Sequence, residues 1–296
     1  PGAWTRDKLS FEAIVLPSQN NRLIAWPYSK FLIANPMVNQ GAAVLLTSLA
    51  QALEMGIDEH QLVFVLGGAA ARETQDYLQR ENFHRSDAQD AVLRKTMEMA
   101  GGNVKAITEL ELYSCFPCVP KMARRTLGLD EGVTPTVVGG LSFFGAPLNN
   151  YMTHAAVGMV RRMRGNAQGL GLLYGQGEFV TKHHALLIGA KPPVTAMDQS
   201  YSVQSEVDKR RGEVPELVEV YEGEARLETF TVIYDRDGEI TFGFVIARTP
   251  QGYRILARVP ASDRVTLTIL TCLDRSPVGE EGNVTVDGDN LLRWGF

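Results

Sequence analysis

Three stretches decide the fold of this chain: ELYSCFPCVP at residues 111–120, VVGGLSFFGAPLNNYMTH at 137–154 and LLYGQGEFVTKHHALLIGA at 172–190. Each contains a strand-like apolar run that lies next to small, polar or reactive residues. Strand ends that converge from different parts of a chain are where an α/β protein usually builds its site. The sequence therefore predicts a functional site at these strand ends.

Around these stretches, strand-like runs alternate with helical patterns. Apolar runs of strand length, typical of a buried sheet, occupy 41–48, 61–68, 134–140, 169–175 and 184–189. Residues 104–113 alternate polar and apolar residues, which predicts a half-covered strand. Helical patterns occupy 49–55, 73–99 with a break near 84–86, 117–127 and 149–163. The alternation predicts an α/β fold, a mixed sheet with helices on both faces, over residues 36–199.

The pattern changes after residue 193. Residues 200–215 are polar and predict a linker, and short alternating strands follow, with hairpin signals at Asp237–Gly238 and Gln251–Gly252. Residues 216–296 therefore predict a small antiparallel β-barrel of OB-fold size. At the other end, residues 1–35 sustain no period and predict a covering loop segment.

Composition excludes several classes of partner. A net charge of −5 and a pI near 5.6 oppose binding to nucleic acid or to an anionic membrane. The barrel region is rich in glutamate and lacks the dense basic stripe that a nucleic-acid-binding OB-fold requires. No apolar run approaches the roughly 18 residues that cross a bilayer. Three cysteines cannot all pair within one chain, which favours a reducing, cytoplasmic location.

Cys115 and Cys118 form a Cys-x-x-Cys pair at a strand end, just before a helix. That placement lowers the pKa of a thiol and suits a redox dithiol. A zinc site would need a second pair of ligands, so no metal is predicted. In the alternative reading, Cys118 is a small core residue and Cys115 lines a cleft.

Two further features could bind a ligand. His183 and His184 begin the last strand of the α/β region, and because neighbouring strand residues point to opposite faces, only one can serve a given cleft. The turn from Gly139 to Gly145, followed by Asn149 and Asn150, is rich in glycine and opens a helix, which lets a backbone approach an anion. A packed histidine and a merely tight turn are the alternatives.

The order and spacing of four motifs resemble the C-terminal half of the thiolase superfamily over roughly residues 27–190. The motifs are NPMVNQGAAVLLTS at 35–48, LYSCFP at 112–117, GGLSFFGAPLNN at 139–150 and LLYGQGEF at 172–179. With the barrel region added, the chain is similar to divergent thiolase-like acetyl-CoA acetyltransferases. In this resemblance Tyr113 stands at the oxyanion-stabilising Asn or His, Ala146 at the motif histidine, and Leu173 or Tyr174 at the second cysteine.

The resemblance implies a Claisen-type reaction on acyl-CoA thioesters, or its reverse, with coenzyme A thioester as substrate and no other cofactor. The candidate catalytic residues are Tyr113 as an oxyanion donor, Cys115 as a displaced base or nucleophile, and His183, which would set the protonation of Cys115. The candidate substrate-binding residues are Ser142, Phe143, Gly145, Ala146, Asn149, Asn150, Gly175 and Gly177.

Because the motif histidine and second cysteine are replaced, two other functions fit the same resemblance. One is a non-catalytic acyl-CoA-binding or scaffolding protein. The other is a retro-aldol or retro-Claisen lyase acting on an acyl-CoA. A thiolase half buries its sheet against the other half, so this chain is expected to expose an apolar face. We expect an N-terminal thiolase half, as a separate chain or a cleaved fragment, or a homo-oligomer to cover that face.

Overall fold

The computed structural model describes residues 2–166, 168–194 and 197–296. These residues form two compact units, each assembled from three separate pieces of the chain. Unit 1 contains residues 2–7, 33–75 and 84–211, and unit 2 contains residues 8–32, 76–83 and 212–296. No described helix is both long enough and apolar enough to span a membrane.

The secondary structure alternates over the first two thirds of the chain and is mostly β afterwards. The helices are α1 Phe11–Val15, α2 Leu49–Glu54, α3 Asp87–Met99, α4 Cys118–Leu127, α5 Gly140–Phe143, α6 Tyr151–Met163, α7 Gln204–Arg210 and α8 Arg264–Leu270. The strands are β1 Leu23–Ala25, β2 Tyr28–Ser29, β3 Phe64–Arg72, β4 Ile107–Leu112, β5 Leu170–Gly177, β6 Lys182–Gly189, β7 Gly223–Tyr234, β8 Ile240–Arg248, β9 Arg254–Pro260, β10 Glu281–Val286 and β11 Leu292–Gly295.

Unit 1 is built on a mixed sheet with the strand order β3-β6-β5-β4. Strand β5 runs parallel to β4 and antiparallel to β6, and β6 runs antiparallel to β3. Apolar residues of α3 and α4, among them Val92 and Val119, pack with Leu112 and Leu172 of the strands in one core. Helix α6 packs Ala155 and Met159 with Leu173 in a second core. The predicted mixed α/β sheet with helices is confirmed.

Two predicted strands of unit 1 are not formed. Residues 41–48 have no strand structure and pair with no described strand, and Leu45 and Leu46 are 82% and 77% exposed. A strand-like apolar run needs a neighbouring strand for its backbone hydrogen bonds, and this one has none within the described residues. Residues 134–139 have no strand structure, and the segment passes into α5 through Gly139 and Gly140, whose φ values of 116° and 80° are incompatible with a strand.

Unit 2 contains a closed barrel of five strands, β7, β8, β9, β11 and β10, because β10 also pairs with β7. The hairpins predicted at Gly238 and Gly252 are present, and both glycines have positive φ. Leu267 and Leu270 of α8 pack with Val245 and Trp294 of the strands in the core of this unit. The predicted small β-barrel is confirmed, but it is not wholly antiparallel, because β11 pairs with β9 in parallel.

The boundaries of these units differ from the predicted segments. Residues 8–32, expected to be loop, contain α1 and the β1–β2 hairpin, and Ala25 of β1 pairs with Ile233 of β7. The predicted helix over 73–99 is interrupted, since 76–83 belongs to unit 2 and α3 begins only at Asp87. The predicted linker 200–215 holds α7, whose Val207 is buried in the core of unit 1.

A buried arginine holds the piece 76–83 in unit 2. The side chain of Arg254 on β9 is fully buried, and its guanidinium donates to the carbonyl oxygens of Leu78 and Arg80, both at 2.5 Å. It also pairs with Glu228 at 2.8 Å and stacks on the ring of Phe83. A buried charge needs such partners, and backbone carbonyls supply them here.

Candidate functional site

The predicted strand ends of β4 and β5 meet in unit 1 and carry a cluster of aromatic and reactive side chains. We call Tyr113, Cys115, Phe144, Ala146 and Tyr151 the Tyr113 cluster, because they pack together in one small core. The backbone fixes the two strand ends, since Tyr113 N–H donates to the carbonyl oxygen of Tyr174 at 3.1 Å. The cluster therefore rests on the rigid sheet.

Tyr113 is half-buried, and its ring packs edge-on against Tyr151 with centroids 5.7 Å apart. Within the described residues its hydroxyl has no hydrogen-bond partner. Burial, with a further contribution from Cys115, raises the pKa of Tyr113 to about 12. At neutral pH the phenol is therefore protonated and can donate a hydrogen bond.

Cys115 lies between Tyr113 and β5. Its sulfur accepts a hydrogen bond from Nε2 of Gln176 at 2.9 Å. Burial raises the pKa of the Cys115 thiol to about 11, although the Gln176 amide acts in the opposite direction. All three cysteines are free, and a thiol with so high a pKa is the opposite of the activated thiolate that a redox dithiol requires.

His183 is fully buried on the same face of the sheet, but its ring nitrogens contact other groups. Nδ1 lies 2.8 Å from the hydroxyl of Tyr174, and Nε2 lies 3.1 Å from the carbonyl oxygen of Val180. The Val180 carbonyl oxygen can only accept, so Nε2 is the nitrogen that donates there. Both ring nitrogens of His183 therefore contact groups other than Cys115.

Gln176 separates the two predicted catalytic residues. It is the direct cross-strand partner of His183 and the hydrogen-bond donor to Cys115. The structure brings Cys115 and His183 to the same end of the sheet without joining them. His184 on the opposite face is exposed, and partial burial followed by Arg72 lowers its pKa.

The predicted substrate-binding residues divide into two groups. Ala146 lies in the Tyr113 cluster, and Ser142 and Phe143 lie beside it on α5, where the Ser142 hydroxyl donates to the carbonyl oxygen of Ile33 at 2.7 Å. Gly145 has a φ of 111°, a backbone conformation that residues other than glycine rarely adopt. The others are Asn149, which is exposed, Asn150, which contacts His154, and Gly175 and Gly177, which lie on β5.

Three residues near the cluster were not predicted from the sequence. Gln176 carries no reactive group, and Tyr151 follows two asparagines that look more like ligand contacts. Glu111 lies in a polar–apolar alternation that predicts a half-covered strand, yet it is fully buried. The only sequence signal for Glu111 is its position two residues before Tyr113, a spacing that puts two residues of an extended segment on the same side.

Within the part of the chain that the structure describes, no group of three or more His, Cys, Asp or Glu side chains is arranged to hold a metal ion.

Residues 202–289 match the family described as the thiolase-like protein type 1 additional C-terminal domain. The whole chain also superposes on the crystal structure of a monomeric SCP2-thiolase like protein type 1 from Mycobacterium smegmatis, with a TM-score of 0.87 and 28% sequence identity. The match covers 100% of this chain and 64% of the mycobacterial one. No curated protein matches the sequence.

Proposed function

Because the chain is a thiolase-like protein, we propose that unit 1 binds an acyl-CoA thioester at the Tyr113 cluster. The observation that supports this proposal is the Tyr113 hydroxyl. Tyr113 is half-buried and directly follows β4, and its hydroxyl has no hydrogen-bond partner within the described residues. A hydroxyl donor that is held in place and makes no hydrogen bond within the protein can recognise a carbonyl oxygen of a ligand.

In this function the Tyr113 hydroxyl donates to the thioester carbonyl oxygen. The raised pKa of about 12 supports that role, since the phenol stays protonated throughout the physiological range. Edge-on packing on Tyr151 fixes the ring, so little side-chain entropy is lost on binding. The acyl group is then distinguished from free coenzyme A by this one hydrogen bond.

Binding rather than turnover is favoured by the groups around Tyr113. The methyl side chain of Ala146 cannot exchange a proton. The thiol of Cys115 is protonated at neutral pH, since burial raises its pKa to about 11. Both ring nitrogens of His183 are engaged by Tyr174 and Val180. General base catalysis needs a base within hydrogen-bond reach of the proton it removes.

Isothermal titration calorimetry with acetyl-CoA and with free coenzyme A tests the proposal. We expect acetyl-CoA to bind about tenfold more tightly than coenzyme A, which is the worth of one well-placed hydrogen bond. Tyr113→Phe should remove that preference, and Tyr201→Phe, which changes an exposed tyrosine, should keep it. Failure of both ligands to bind would refute the function.

Acyl transfer through Cys115 is the second candidate, and the hydrogen bond from Gln176 favours it. In this step the Cys115 sulfur attacks the thioester carbonyl carbon, the bond from that carbon to the sulfur of coenzyme A breaks, and the thiol proton passes to the departing sulfur. The Gln176 amide donates to Sγ at 2.9 Å and so favours the thiolate. The product would be an acyl-Cys115 protein and free coenzyme A.

Mass spectrometry after incubation with acetyl-CoA or acetoacetyl-CoA checks this second candidate, together with release of coenzyme A. Cys115→Ala should abolish both the adduct and the release, whereas Cys272→Ala should leave them unchanged. Release that continues in Cys115→Ala removes this residue from the chemistry.

We also propose that the exposed apolar run of unit 1 is covered by another protein chain. The exposed members are Val44, Leu45, Leu46, Leu49, Leu53 and Met55, and Leu186 of the sheet is 45% exposed. Exposed apolar side chains that follow one another along a segment are typical of an interaction surface. An N-terminal thiolase half is the partner that the resemblance favours, and self-association is the alternative.

A further inference from the structure

Glu111 is a carboxylic acid without solvent exposure, on β4 and two residues before Tyr113. Burial raises the pKa of this carboxyl above its ordinary value. Three groups donate hydrogen bonds to it. The Tyr151 hydroxyl donates to Oε1 at 2.6 Å, and the Thr136 hydroxyl and the Val137 N–H donate to Oε2 at 2.8 and 2.9 Å.

These bonds connect Glu111 to two segments that surround the Tyr113 cluster, the 136–140 turn and the start of α6. Tyr151 opens α6, and its ring packs edge-on against both Tyr113 and Phe144. Thr136 begins the turn into α5, and its hydroxyl oxygen accepts the N–H groups of Gly139 at 2.9 Å and Gly140 at 3.2 Å. One carboxyl thereby fixes a strand, a turn and a helix start.

Stability alone is a weak reason for such an arrangement. Taking a carboxyl out of water is costly, and apolar residues of similar volume often stabilise a core as well or better. A fully hydrogen-bonded polar group in a core instead specifies one geometry for the groups around it. The geometry specified here is that of the rings against which Tyr113 packs.

We propose that Glu111 is the positioning residue of the Tyr113 cluster, which holds Tyr151 and the 136–140 turn so that the Tyr113 hydroxyl faces the thioester carbonyl of the ligand. This inference rests on the proposed acyl-CoA function. Glu111 acts only through Tyr151 and Thr136, and it has no contact with the ligand. Its removal therefore affects recognition of the acyl group and leaves the remainder of the coenzyme A contacts in place.

The test is the ratio of the affinities for acetyl-CoA and free coenzyme A, measured by calorimetry on the full chain. Glu111→Gln should lower the acetyl-CoA affinity about tenfold and bring the ratio close to one, as Tyr113→Phe does. Tyr151→Phe, which keeps the ring and loses only the hydroxyl, should do the same. The control is Glu109→Gln on the same strand, because Glu109 forms a partly exposed ion pair with Arg162. The affinity ratio of this variant should equal that of the wild type.

A merely structural role would lower the thermal midpoint of these variants and leave the ratio unchanged. A wild-type ratio retained by Glu111→Gln and by Tyr151→Phe would therefore overturn the inference and leave the proposed function intact. Where Glu111→Gln does not fold, Tyr151→Phe alone decides. Absence of acetyl-CoA binding in the wild-type chain would overturn both the function and the inference.

Discussion

At the scale of single residues, burial decides what the thiol of Cys115 can do. A cysteine beside a helix start is expected to be acidic, but Cys115 has an apolar environment, in which the side-chain amide of Gln176 is its main hydrogen-bond donor. The desolvation of the thiolate exceeds the help from that donor, so the pKa rises to about 11. Reactivity at this position must therefore be supplied by a ligand that changes its surroundings.

Alkylation of Cys115 by iodoacetamide should rise about tenfold for each pH unit from 7 to 10, because the thiolate fraction grows in that proportion below the pKa. Gln176→Leu removes a hydrogen bond that lowers this pKa, so alkylation at pH 9 should become slower. Gln168→Leu, at an exposed glutamine, is the control. Peptide mass spectrometry measures the rates, and a plateau already at pH 8 would contradict the raised pKa.

Arg254 is the second residue whose burial has a large predicted effect. Arg254→Met should destabilise unit 2 by about 3–5 kcal/mol, because it removes the buried guanidinium that binds carbonyl groups of 76–83 and leaves Arg248 as the remaining arginine paired with Glu228. Arg258→Met changes an exposed arginine on the same strand that stacks on Phe242 and should cost about 1 kcal/mol or less. Urea unfolding of both variants checks this, and equal losses would show that the buried contacts contribute little.

At the scale of elements, small residues set how closely α6 approaches the sheet. A Cβ at Gly171 of β5 would lie 2.7 Å from the sulfur of Met159. The helix and the strand are therefore in direct contact through a glycine.

Gly171→Ala should destabilise the protein by about 1–3 kcal/mol, because Met159 is fully buried and cannot move aside freely. Gly132→Ala is the matched control, since a Cβ there meets nothing within 4 Å. Thermal unfolding of the two variants measures the difference. An unchanged midpoint for Gly171→Ala would mean that α6 can shift on the sheet.

Elements whose signals are local were predicted well from the sequence. Helix α4 ends at Leu127, as the helical pattern over 117–127 predicts, and Gly128 caps it with φ 63°. The barrel hairpins likewise follow their glycines. The run 41–48 was predicted wrongly as a strand, because its composition is right while its pairing partner is not among the described strands. Pairing is a property of the tertiary structure, and no local pattern reveals it.

In the candidate site, too, local features could be predicted from the sequence and tertiary contacts could not. Tyr113 and Cys115 could be placed at a strand end from the sequence, since β4 is a clear strand. The separation of Cys115 from His183 could not be predicted, because it depends on the strand register that makes Gln176 the cross-strand partner of His183. Glu111 was missed for a related reason, since its donors lie 25 and 40 residues further along the chain.

At the scale of the whole molecule, the exposed apolar run in unit 1 predicts association. Light scattering of the 296-residue chain should give a mass above 32.5 kDa, because association removes Leu45 and Leu46 from water. The double substitution Leu45→Asp and Leu46→Asp should lower the measured mass to 32.5 kDa, that of a single chain. A wild-type chain that is already a monomer would exclude self-association and leave a separate thiolase half as the proposed partner of this run.

The capture of residues 76–83 by Arg254 also has a consequence for how this protein acquires its structure during synthesis. Arg254 binds carbonyl groups that lie 173 to 176 positions earlier in the sequence. These contacts can form only after β9 has left the ribosome. Contacts of such long sequence separation slow folding. The barrel is therefore expected to be the last part of the chain to become native, and a gene fragment encoding only residues 212–296 would omit two of the three pieces that complete it.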